Sequence, residues 1–450
     1  MSSPKRATVI VEGKPDKDAG LVLIPGKNLR SGEKDFQGVF GELTSLEKDL
    51  LRVASAIFAC DLAFQRGERE NITRTIELTV PVVNSQAFDR QSGDLESILY
   101  VLSHDNWTVN FTRLKGVPEE AREWPQTSGK TLLFSGGLDS LAAAVDLVDE
   151  LGSENVQLAS HLTGNQLTRG TQETLASYLN TAFKTTVSRV AVRTGGRKFK
   201  EWDFPSDQER EETQRTRSFM FLTIAALAAR RSGQSEVVMI AENGQMAIHL
   251  PLSAARIGAF STHTAHPEFV QLAGDFFSIL LDHKIEVSNP YLYRTKAEVV
   301  KTISMKHKSA VAASVSCWRG SRVTGLNHCG ECVPCLVRRI SLEANGLKLA
   351  EYARNLLNED ISRLDPADEG KRNLVELSEF AVAFRTRPVA ELQLLYPDLF
   401  NAYFDMNEAV QMYKRFGGEA LAVLGGYSGV RSILPAQTGT SAKTTKRPKP

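Results

Sequence analysis

The sequence predicts an α/β protein with a parallel sheet at its core, on three observations. Short apolar runs alternate with helix-forming stretches between residues 131 and 241, a Ser-Gly-Gly turn joins the first run to the first helix, and the apolar fraction of 42% is ordinary for a folded chain. In such sheets ligands sit at the carboxyl ends of the strands.

The leading region mixes two signals. Residues 76–83 form a β-like run, and residues 45–64 carry Leu46, Leu50, Leu51, Val53, Ile57, Leu62 and Phe64 at near-helical spacing, so an α+β domain is expected over residues 1–125. Residues 118–130 are polar and turn-rich and are read as a linker. From there the alternation begins: strands over 131–134, 157–161, 186–192 and 236–241, and helices over 141–150, 171–183 and 217–231. This core is expected to run from 126 to 345. Helical stretches at 338–358, 373–384, 390–403 and 407–424 make a C-terminal helical region of residues 346–435, and Thr, Ser, Lys and Pro in residues 436–450 read as a disordered basic tail.

Composition excludes several function classes. Lys and Arg number 54 against 53 Asp and Glu, so no global field draws the chain to nucleic acid or to a membrane surface. The first residues lack the apolar core of a signal peptide, and the longest apolar run, residues 219–229, is too short to cross a bilayer; a cytoplasmic protein without a membrane partner is expected. Lysines 443, 446 and 449 read as a solvated tail, with nucleic acid not expected as a partner. Five cysteines are too few for a disulfide framework, and the clustering of four of them points to metal.

The turn is Ser135-Gly136-Gly137-Leu138-Asp139-Ser140, between an apolar strand and an Ala-rich helix. Strand, glycine turn and helix aim backbone N–H groups and a positive helix end at an anion. Gly136 and Gly137 allow positive φ and close approach of phosphate, while Ser135 and Ser140 add hydroxyls. A Walker loop is excluded despite Ser128-Gly-Lys-Thr131, because Trp124 stands where its glycine is needed and Lys130 precedes the strand. Asp139 is an acid inside a phosphate site, which suits holding Mg²⁺ on a nucleotide. The string resembles the SGGxDS loop of the PP-loop ATP pyrophosphatases, with an adenine nucleotide alpha hydrolase-like core. The resemblance implies ATP cleaved to AMP and pyrophosphate through a substrate adenylate.

Cys317, Cys329, Cys332 and Cys335 are spaced C-x11-C-x2-C-x2-C, which suits a closed tetrahedral Zn²⁺ site; the same spacing also suits an iron–sulfur cluster. His328 reads as a neighbour and Cys60 as core. Loop and cysteines together, with Arg338, resemble the QueC family of 7-cyano-7-deazaguanine synthases over residues 128–345. That resemblance implies ATP, Mg²⁺ and Zn²⁺ as cofactors and a 7-carboxy-7-deazaguanine-like substrate, amidated and then dehydrated to a nitrile. Free-standing family members are about half as long, and the long layout resembles members encoded in anti-phage systems, such as the QatC proteins. There the acceptor is inferred to be an amine on a partner protein of the defence operon.

Further candidates follow from position. Arg217-Ser-Phe-Met-Phe-Leu resembles the family's Arg-Asn-x-x-Phe-Leu helix start, which would bring Arg217 to the phosphates, although Ser218 replaces the Asn. Glu242 and Asn243 follow an apolar strand, where α/β sites collect polar residues. His263 and His266 lie in Ser261-Thr-His-Thr-Ala-His-Pro267 and are candidates to bind substrate or move a proton. Lys296, after Tyr291, Arg294 and Thr295, is a candidate to neutralise pyrophosphate. Two alternatives stay open: a PP-loop enzyme acting on tRNA or another carboxylate, and a non-catalytic ATP-binding scaffold. Thiolation would need a cysteine outside the metal set, and only Cys60 is left.

Overall fold

In the computed structural model the described residues are 4–12, 20–67, 73–119, 127–162, 164–238, 242–253, 263–303, 305–319, 326–349 and 351–434. The tail from 436, most of the expected linker, Ser261 and Thr262 lie outside them.

The strands are β1 (Lys5–Val9), β2 (Leu21–Leu23), β3 (Leu29–Arg30), β4 (Thr75–Val82), β5 (Asn106–Arg113), β6 (Lys130–Leu133), β7 (Val156–His161), β8 (Ser188–Val192), β9 (Gly195–Gly196), β10 (Glu236–Val238) and β11 (Glu286–Ser288). They make two parallel sheets, ordered β2-β1-β4-β5 and β11-β10-β6-β7-β8, plus a small antiparallel β3-β9 ribbon. In β4 every second side chain is buried, Ile76, Leu78, Val80 and Val82 among them. β7 is buried throughout, as a strand covered on both faces must be.

The Ser45–Ala63 helix starts from a capping box, with Thr44 accepting from the Glu47 N–H and the Glu47 side chain accepting from the Thr44 N–H. It packs against the Arg217–Arg231 helix, so one apolar core runs from the leading sheet into the second sheet. A separate core joins the Glu369–Thr386, Met406–Leu424 and Val333–Ala344 helices. No helix among the described residues is long and apolar enough to cross a membrane.

Several helix expectations need correction: the helix expected over 171–183 spans Gln166–Ala182, because the Asn165 side chain caps it earlier. The helix after the loop begins at Leu138, not 141, because Gly137, extended at φ −79° and ψ 169°, is its N-cap. Asp139 and Ser140 therefore lie in its first turn. The helix expected over 338–358 spans Val333–Ala344; Asn345 and the left-handed Gly346 (φ 72°) end it, and single 3-10 turns follow. The stretch 390–403 breaks into Val389–Leu395 and a 3-10 turn opened by Pro397.

Candidate active site and metal centre

The glycine loop leaves the carboxyl end of β6, the central strand, and feeds the Leu138–Leu151 helix. Gly136 has φ +83°, and a Cβ there would sit 3.2 Å from the Gln172 backbone nitrogen. The two serines serve the loop itself. Ser135 Oγ accepts from the Gly137 N–H at 3.2 Å and lies 3.1 Å from Ser140 Oγ, which donates to the Gly137 carbonyl at 3.0 Å. The loop is fixed from outside as well: Gln172 donates to the Ser135 carbonyl and the Val315 N–H to the Gly136 carbonyl.

Asp139 is buried, with Lys296 ion-paired to its Oδ2 and Asn243 donating to the same oxygen at 3.3 Å. Lys296 opens the Lys296–Ile303 helix, its backbone N–H donating to Gln245 Oε1, so strand β10 and the segment beyond β11 converge on the loop. Asp139 Oδ1 and Asn243 Oδ1 are buried acceptors with no donor among the described residues. Acceptors left so are costly unless a cation or ligand donor meets them. Glu242 keeps some exposure, yet loss of water around it, and then the neighbouring Asp139, push its carboxyl up to about 7 against the pull of Lys296 and Arg217. Arg217 starts the Arg217–Arg231 helix, its guanidinium 5.5 Å from the Phe221 ring centroid, where burial lowers its pKa against the opposing pull of Asp61 and Glu242.

The structure thus brings Asp139, Asn243 and Lys296 into contact, with Glu242 and Arg217 in their field. His263 and His266 make a cluster of their own. Their rings stack at 5.0 Å, His263 faces His104 at 5.6 Å and the Val101 carbonyl at 3.2 Å, and His266 faces Phe404. Burial depresses the His266 pKa to about 3, so it is neutral near pH 7. Sequence reasoning missed His161, at the carboxyl end of β7. Its Nε2 is 2.9 Å from Thr194 Oγ1, its buried Nδ1 has no partner among the described residues, and burial, then Arg217, hold it down at about 3. Its only signal in the sequence was a polar residue closing an apolar strand.

The four cysteines form a second centre. Their sulfurs all lie within 4.8 Å of one another, with 3.9 Å between Cys317 and Cys332 and 3.8 Å between Cys329 and Cys335. A tetrahedron of thiolates at about 2.3 Å from a metal has edges of about 3.8 Å. Thiolates packed this closely repel one another, so the set needs a cation before all four can ionise. Two backbone N–H groups, from Arg319 and Cys332, already point at sulfur. Gly330, at φ +86°, is forced: a Cβ there would lie 2.1 Å from the Arg354 carbonyl oxygen. His328 is not among the four ligands but packs on Tyr352. The donor set fits one soft metal ion and leaves no open position, the arrangement of a structural site. Cys60 is buried in the leading core, as expected.

Arg338 ties the two centres together. Fully buried, it donates to Ser314 Oγ at 3.0 Å, Ser316 Oγ at 3.2 Å and the Val311 carbonyl at 2.7 Å, bracing the strip whose Val315 holds the glycine loop.

Residues 130–346 match the model of a family described as queuosine biosynthesis protein QueC. The chain is 26% identical over 231 residues to the 7-cyano-7-deazaguanine synthase of Sulfolobus acidocaldarius, covering 48% of this chain and 46% of that protein. It is 28% identical over 238 residues to the 7-cyano-7-deazaguanine synthase of Brucella anthropi, covering 49% of this chain and 91% of that protein. A third, from Paracoccus denitrificans, is 27% identical over 164 residues, 35% of this chain and 63% of that protein. The chain therefore spans under half the length of the Sulfolobus relative, and the similarity falls on the segment that carries the loop and the cysteines.

Proposed function

We propose that this protein uses ATP to activate the carboxylate of a 7-deazaguanine acid, releasing pyrophosphate. The observation that carries the reading is the convergence of Lys296 and Asn243 on Asp139 in the first turn after the glycine loop, in a segment similar to 7-cyano-7-deazaguanine synthases.

In the proposed step a carboxylate oxygen of the acid attacks the α-phosphorus of ATP and the bond to the bridging oxygen breaks, giving an acyl-adenylate and pyrophosphate. The loop N–H groups and the helix start face the leaving pyrophosphate. Lys296 balances its charge. The free Oδ1 of Asp139 and Oδ1 of Asn243 fit a divalent cation, which would neutralise the phosphates. In this reading Arg217 meets a second anion in the cleft, and His161, held neutral, offers a polar edge without a competing charge. A nitrogen nucleophile then attacks the acyl carbon and AMP leaves.

The regions flanking residues 130–346 support a finer reading, in which the nucleophile is an amine on a partner protein of a defence system in place of ammonia. Mass spectrometry of proteins encoded beside this one, after incubation with ATP and the acid, tests it: the adduct mass on a lysine or amino terminus is expected, and ammonia-dependent product alone would exclude it.

The main test is pyrophosphate release with 7-carboxy-7-deazaguanine. Release is expected, falling at least about 10²-fold in Asp139→Ala while the fold is kept; no release with any deazapurine acid would end this reading.

A further inference from the structure

The Arg217–Arg231 helix begins without a side-chain cap of its own: Thr216 stands at the N-cap, but its hydroxyl turns away from the helix. That hydroxyl donates at 3.0 Å, and its backbone N–H at 2.8 Å, to Oδ2 of Asp61, a residue of the leading region. A carboxylate is the group a helix start favours. Asp61 is completely buried and held in turn: Arg74 donates to its Oδ1 at 2.5 Å and to its carbonyl at 3.1 Å, and Arg74 and Arg66 are both anchored on Asp105. Its charge also reaches Arg217, whose protonated state it favours. Two further contacts run the same way. Phe58, on the same helix as Asp61, sets its ring edge-on to His161 at 5.6 Å, and Arg215 donates to the Ser103 carbonyl.

We infer that Asp61 is a positioning residue for the active site: the leading region supplies the cap that sets where the helix starts, and so where the Arg217 guanidinium points. The inference rests on the proposed function, in which Arg217 meets an anion in the cleft. Asp61 and the residues that hold it, Arg74, Arg66 and Asp105, all lie outside residues 130–346, so a chain cut down to that segment lacks the cap.

A double-mutant cycle on the full chain tests this, read as ATP–pyrophosphate exchange with 7-carboxy-7-deazaguanine and accompanied by a melt of each variant. Asp61→Asn keeps an acceptor and loses the charge; it is expected to lower kcat/KM by about 10- to 100-fold, the scale of a misplaced catalytic group. Made on top of Arg217→Ala, the same change is expected to cost almost nothing more, because the residue it positions is gone. Thr216→Val, which removes a single hydrogen bond and spares the Asp61–Arg74 pair, should show the same non-additivity at smaller scale, with Thr216→Ser restoring activity. It keeps the test decisive if Asp61→Asn does not fold. An equal loss in both backgrounds would overturn the inference and leave the function standing. Unchanged exchange in Arg217→Ala alone would instead strike the assigned role of Arg217, and with it this inference.

Discussion

The cysteine centre and the cleft at the glycine loop are built in opposite ways. The four cysteines come from one short stretch, and their sulfurs already stand at the spacing a tetrahedral ion requires. The cleft draws on distant segments: 104 residues separate Asn243 from Asp139, 157 separate Lys296 from Asp139, and 155 separate Asp61 from Thr216. The first is a local clasp, complete once its metal is bound; the second exists only when the whole α/β domain and the leading region have packed. A local site should fail all at once, and a distributed one by degrees.

The largest expected effect follows from that contrast. Removing one ligand with Cys332→Ala, or stripping the ion with a chelator, forfeits metal-binding energy on the order of 10 kcal/mol in small zinc modules. The melting temperature is expected to fall by about 10 °C or more, and elemental analysis to go from one metal ion per chain to none. Because Arg338 braces the strip that holds the glycine loop, pyrophosphate exchange should fall as well. Full exchange in a metal-free protein would show the two centres to be independent.

A middle-sized effect concerns pH. Glu242 has its carboxyl raised to about 7 in the folded chain, from the ordinary value of 4.5. Between these values the folded state binds the extra proton, so stability falls as pH rises from about 4.5 to about 7. With its partial exposure discounted, the change is on the order of 2 kcal/mol. Glu242→Gln is expected to flatten the stability profile in that window, measured by urea denaturation at several pH values; an unchanged slope would refute the placement of the charge.

The smallest effect is at Gly136. Gly136→Ala puts a side chain at φ +83° and against Gln172, costing about 1–2 kcal/mol. A change this local should raise KM for ATP several-fold and leave metal content untouched.

The same contrast explains what could be read in the sequence. The glycine loop was legible because an apolar strand and an Ala-rich helix flank it directly, and the cysteines because ligand spacing is itself a sequence pattern. The helix Arg217–Arg231 was read to the residue, since its apolar run has no interior breaker. His263 and His266 show how little spacing says of surroundings: two histidines in seven residues look like chemistry, and in the fold they pack against each other and His104. His161 and Asp61 left almost no trace. A lone histidine at a strand end and an aspartate inside an apolar helix acquire meaning only from partners far away in the chain, and no periodicity encodes those. The helix over 338–358 was overdrawn because Asn345-Gly346 was passed over as a stop.

The long reach of Arg338 also bears on how the molecule is made. Chains are synthesised from the amino end at about 5–20 residues per second, and domains settle as they emerge. The glycine loop is translated early, but the arginine that braces its supporting strip comes some two hundred residues later. On the ribosome, then, the support of the glycine loop stays unfinished while the leading sheet is already out. An incomplete nascent chain thus carries the glycine loop before the arginine that braces its support has been made.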